Sequence, residues 1–113
     1  MSKNDVVYLH HMLDSMVKIK DFTDNVGESE FENSELIQSA VIRQIEIIGE
    51  ATKQISQSVK RKYPHIPWRD IAGMRDKLIH GYFGVDIDAV WDTIQLDIPV
   101  LEKDIKRILE KEK

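Results

Sequence analysis

From Leu36 to Ile55, apolar residues recur at spacings of three and four, through Ile37, Ala40, Val41, Ile45, Ile47, Ile48 and Ala51. At roughly 100° per residue they cover one broad side of a helix, wider than a single neighbour needs. The spacing predicts a long helix from a cap at Asn33 to about Ser58, serving as a central helix or as a subunit interface. No stretch alternates with period two, so no sheet, βαβ unit or glycine-rich phosphate loop is expected. A chain built around this element is all-α.

The remaining segments read as shorter helices joined by punctuation. Asn4 is placed to cap a first helix over 5 to 21, with Val6, Leu9, Met12, Leu13, Met16 and Ile19 on one face. His10 and His11 are adjacent rather than four apart, which suits surface positions better than metal ligation. Residues 22 to 34 mix turn formers with acids, and Ser29 with Glu32 can cap a short turn there. Two prolines hold the connection Tyr63-Pro64-His65-Ile66-Pro67-Trp68 extended. A third helical region over 68 to 79 buries Ile71, Met74, Leu78 and Ile79, with Trp68 in the core and Gly73 marking close packing or a break. Asp86 or Asp88 caps a last helix that kinks near Asp97 because Pro99 lacks an N–H. Val100, Leu101, Ile105 and Leu109 continue it into a charged tail, 106 to 113, expected to fray. The expected architecture is an up-and-down bundle of four to five helices, one domain over 1–113.

Composition narrows the chemistry. Without cysteine there is no disulfide, thiolate metal site or thiol nucleophile. Met1-Ser2-Lys3-Asn4-Asp5 lacks a signal core, and no apolar run approaches the ~20 residues that span a bilayer. A soluble, cytoplasmic chain with no membrane partner is therefore expected. The net charge is −4, yet residues 60 to 82 hold six Lys or Arg against two Asp. An acidic body with one basic segment can attract a polyanion locally, because screening confines each charge to about 10 Å.

Within that segment Arg75-Asp76-Lys77-Leu78-Ile79-His80-Gly81-Tyr82 gathers a fixed cation, an imidazole and a phenol. Arg75 presents a planar fork of donors that suits phosphate, and His80 can take or give a proton near neutral pH. On a straight helix the two lie about 140° and about 7.5 Å apart and do not converge. Either Gly81 ends the helix so that the chain turns back, or the site is assembled from two copies. As solvated charges and a C-terminal imidazole, the same residues would be unremarkable helix decoration. On the long helix Arg43, Glu46 and Glu50 fall on one stripe, either an exposed charge ladder or a polar seam that orients Arg75 and His80.

The pattern Arg75-X4-His80-X-Tyr82 resembles the Arg-X4-His-X-Tyr motif of HepT-type toxins in the HEPN superfamily. The segment Val41-Ile42-Arg43-Gln44-Ile45-Glu46-Ile47-Ile48-Gly49-Glu50-Ala51 is similar to that family's long-helix signature. Ile66-Pro67-Trp68, Gly73-Met74-Arg75, His80-Gly81-Tyr82-Phe83, Val90-Trp91 and the proline at 99 follow in the same order. The resemblance implies a helical homodimer with Arg75 and His80 of both protomers facing a shared cleft. It also implies metal-independent RNA cleavage without a cofactor, with Asp76 at the polar position after the arginine; for such a site Asp76, Arg43, Glu46 and Glu50 are expected in support, and Lys77 and Arg69 of the basic segment are expected to contact RNA. It further implies a minimal nucleotidyltransferase antitoxin of the MntA type that attaches AMP to Tyr82 and can join the dimer in a larger assembly. The alternative is a non-catalytic accessory subunit of such a nucleotidyltransferase, holding nucleotide or RNA.

Overall fold

The computed structural model describes residues 1–79 and 84–112, so the expectations for His80 and Tyr82 lie outside the described residues. Every regular element among them is helical, and the helices pack into a bundle.

Helix α1 (Lys3–Phe22) starts two residues earlier than its pattern suggests, because Ser2 rather than Asn4 caps it, accepting from the Asp5 N–H at 3.1 Å. The acidic break contains α2 (Glu28–Glu32), whose N-terminus at Gly27 has no side-chain cap, so Ser29 does not serve as one. A helix this short cannot persist by propensity alone. Fully buried Phe31 holds it, packed on Trp91 with ring centroids 5.4 Å apart.

Helix α3 (Glu35–Gln54) is central, packing against α1, α2 and the segment carrying Arg75. Its cap is Ser34, which accepts from Ile37; Asn33 instead donates to the Ser29 carbonyl at 2.8 Å. The broad apolar surface is therefore used inside the chain: Val41, Ile45, Ile48 and Ala51 are buried, while Leu36 remains 82% exposed. The helix also stops short of Ser58. Ile55 is extended, and Ser56 caps a separate helix, α4 (Gln57–Lys62).

The region 68 to 79 is two helical turns, α5 (Trp68–Ala72) and α6 (Met74–Leu78), divided at Gly73. Trp68 is 8% exposed and donates its Nε1–H to the Tyr63 carbonyl at 3.0 Å, as a core residue should. Helix α6 ends at Leu78. Ile79 is extended and pairs antiparallel with Val85, and the Asp86 N–H reaches the Leu78 carbonyl at 2.8 Å.

Asp86 caps α7 (Ile87–Asp92), accepting from Ala89 at 3.0 Å. The disturbance expected from Pro99 is a π-helical turn over Thr93–Asp97, in which Ile98 N–H reaches back to the Thr93 carbonyl. This wider turn precedes a proline that can neither donate nor tolerate the carbonyl four residues before it. From there α8 (Ile98–Lys111) runs into the charged tail, and Glu112 just beyond it accepts from Lys62 at 2.6 Å and from Tyr63 Oη at 2.8 Å. Among the described residues no helix is long and apolar enough to cross a membrane.

Candidate active site

Arg75 sits on α6, directly after α5, and Gly49 permits the close approach of α5 to α3. A Cβ built on Gly49 would lie 3.2 Å from the Ala72 carbonyl oxygen and 3.6 Å from that of Ile71, so any larger residue pushes α5 away. With glycine there, Arg75 Nε comes within 3.7 Å of Glu46 Oε2 and its Nη1 within 3.4 Å of Asp76 Oδ1. Together with Glu50, Lys53 and Ala72 these residues line a cleft of about 220 Å3.

Both contacts to Arg75 are longer than a good charge-assisted hydrogen bond. Its side chain remains 46% exposed and that of Glu46 34%. A pair this exposed contributes at most about 1 kcal/mol to stability. Its consequence is orientation: two acids aim the guanidinium while leaving donors of its fork for an anion. Arg43, one turn along α3 from Glu46, is exposed and makes no ion pair among the described residues. Glu50 pairs with Lys53 at 3.2 Å rather than with Arg75. Sequence reading passed over Lys53, although it extends the same stripe three residues beyond Glu50.

The other basic residues separate. Arg69 lines an adjoining groove with Lys53, Gln57, Lys60, Trp68 and Ala72. Lys77 pairs with Asp70 at 3.4 Å on the rim of a different groove, of about 390 Å3, where Leu96 and Val100 are exposed. The structure thus brings Arg75, Glu46, Glu50 and Asp76 to one cleft, puts Arg69 beside it, and directs Lys77 elsewhere. Three exposed carboxylates, Glu28, Glu32 and Asp88, lie within 4.8 Å of one another but share no residue with the Arg75 cleft.

Because α6 ends at Leu78, the straight-helix relation between Arg75 and His80 does not apply. The 140° offset therefore gives no argument for or against a second copy.

The sequence model of the family described as Ribonuclease HepT-like matches residues 12–108. The chain belongs to that family. Its HepT-like sequence is 46% identical to "Putative RNase MJ1216" of Methanocaldococcus jannaschii over 97% of this chain and 92% of the relative. It is 43% identical to "Probable ribonuclease HepT" of Thermococcus cleftensis over 96% of this chain and 98% of the relative. With "Putative RNase TTE0752" of Caldanaerobacter subterraneus it shares 42% identity, over 94% and 95% of the two chains. No solved structure matches this HepT-like chain.

Proposed function

We propose that the protein is a toxin that cleaves RNA without a metal ion, and that Arg75 and His80 carry the reaction. The observation behind this reading is the Arg75 guanidinium, aimed by Glu46 and Asp76 in an open cleft of a ribonuclease-family chain. His80 takes the proton from a ribose 2′-hydroxyl, and the 2′-oxygen attacks the adjacent phosphorus. Arg75 holds the phosphate and balances the charge that grows on its oxygens. The bond to the 5′-oxygen breaks, that oxygen takes a proton from water, and the other product ends in a 2′,3′-cyclic phosphate. Glu46 and Asp76 orient Arg75, and Arg69 contacts RNA from the adjoining groove.

In this reading two copies form the working unit, with the Arg75 clefts sharing one substrate path. A minimal nucleotidyltransferase antitoxin silences it by transferring AMP to Tyr82, which adds bulk and negative charge where RNA must enter.

The test is cleavage of RNA in EDTA by the wild-type protein beside Arg75→Ala and His80→Ala. Cleavage by the wild type alone is expected, with cyclic phosphate ends and no cutting of DNA. Equal cutting by all three proteins, or cutting that requires added metal, would end the proposal. Native mass spectrometry of the same preparations should give twice the 13.2 kDa chain mass. After co-expression with the nucleotidyltransferase it should also give AMP increments that Tyr82→Phe abolishes. A wild-type protein that binds RNA but cuts none would instead support the accessory role.

A further inference from the structure

We propose that the groove between α4 and α5 is a track for the backbone of single-stranded RNA, carrying the strand from the Arg75 cleft toward Lys60; this rests on the ribonuclease reading above. The groove measures about 480 Å3 and is lined by Lys53, Gln57, Lys60, Trp68, Arg69 and Ala72, with no carboxylate in its walls. It shares Lys53 and Ala72 with the Arg75 cleft, so the two form one continuous depression. Among the described residues Lys60 and Arg69 pair with no acid, whereas Lys62 is occupied by Glu112 and Lys77 by Asp70.

Charge along this depression is graded. All its carboxylates, Glu46, Glu50 and Asp76, lie at the Arg75 end, and the cations Lys60 and Arg69 lie at the other. The acids leave room for one phosphate against the aimed guanidinium and repel a second. The flanking phosphates of a polyanion therefore run toward Lys60 and not toward the acids. Within α3 the stretch from Glu46 to Lys53 rises roughly 10 Å, more than one nucleotide step beyond the scissile bond. Trp68, 8% exposed, offers floor rather than a stacking face, so the track reads backbone and is indifferent to base. The basic segment noted in the sequence thus acquires two uses: Lys60 and Arg69 serve the strand, while Lys62 and Lys77 serve the fold.

The probe is a labelled twelve-nucleotide RNA with 2′-O-methyl groups, which cannot supply the attacking hydroxyl, and its dinucleotide counterpart. Binding is followed by fluorescence anisotropy at several salt concentrations. Lys60→Glu with Arg69→Glu should weaken the twelve-nucleotide probe at least tenfold and shrink its advantage over the dinucleotide. It should also flatten the salt dependence by roughly 1.4 in slope, the share of two phosphate contacts at about 0.7 each. Lys18→Glu with Lys103→Glu changes net charge equally at exposed positions elsewhere and should leave the length advantage in place.

Equal weakening by both double variants would overturn the track, as would a length advantage that survives Lys60→Glu with Arg69→Glu. Unchanged RNA affinity with lost binding of the nucleotidyltransferase would also overturn it and assign the groove to a protein. Failure of the ribonuclease reading shows separately, in metal-free cutting of unmodified RNA. A wild type that cuts nothing yet loses the long probe on charge reversal keeps the track, and one that cuts but binds the probe equally after reversal removes it.

Discussion

Asp5 shows how a single side chain joins distant parts of the sequence. Its buried carboxylate accepts from Ser56 N at 2.8 Å, Ser56 Oγ at 2.9 Å and Ser2 Oγ at 3.0 Å. Burial pushes the carboxyl up, but the donors from Ser56 and Ser2 outweigh it and hold the group below the ordinary aspartate value. The folded protein is therefore more acidic at this site than the unfolded chain. Its contribution is complete above the unfolded value near pH 4 and is lost as pH falls through the lower, folded one. Asp5→Ala leaves two donors of Ser56 unpaired and should cost about 3 kcal/mol in urea unfolding at pH 7, with the gap to wild type closing below about pH 4. A gap that stays constant across that range would show that the charge is not what matters. Residues separated by 51 positions share no local pattern, so this contact was illegible in the sequence. The Glu46 stripe was legible because helical spacing alone aligns it, and Lys53 was missed only because the stripe was read as ending at Glu50.

Among the elements, periodicity located the helices while caps moved their ends. Ser2 and Ser34 displace the expected caps Asn4 and Asn33, and Ser56 starts a helix of its own, each by placing an oxygen on an N–H three residues ahead. One device escaped the pattern, the break after α3 set by an extended Ile55; the short turn expected near Ser29 is α2, held by one phenylalanine rather than by a serine cap. Gly49 has the largest effect for its size. Gly49→Val gains helix propensity, yet its side chain must displace the carbonyls of Ile71 and Ala72, which belong to backbone and cannot rotate away. The expected outcome is a loss of about 2 kcal/mol in thermal or urea unfolding, typical of overpacking. Cutting should fall further than stability explains, because α5 and α6 carry Arg75 out of reach of Glu46. Unchanged stability and cutting would show that α5 gives way freely.

At the scale of the molecule, the bundle measures 42 × 30 × 21 Å, a slab rather than a sphere. Its surface carries the Arg75 cleft beside the basic groove, the two sharing Lys53 and Ala72, and the order of charges along them follows from which face of α3 meets α5. Buried Glu102 binds α8 to α1: burial would raise its carboxyl, and the ammonium groups of Lys106 and Lys20 more than offset this. This triad could not be read along the sequence, since it depends on surfaces that meet only after folding. Helix α4 illustrates the result. It has six residues, fewer than an isolated helix needs, yet Ser56 at its start is fastened to α1 through Asp5, and Lys62 and Tyr63 at its end are fastened to α8 through Glu112. A segment tied at both ends to the first and last long helices has no way to open by itself. Its amide hydrogens should therefore exchange with deuterium about as slowly as those of α3, reporting the unfolding of the entire chain rather than the fraying of a short turn. Fast exchange confined to α4 would mean that the two ties hold it in place without making it part of the cooperative whole.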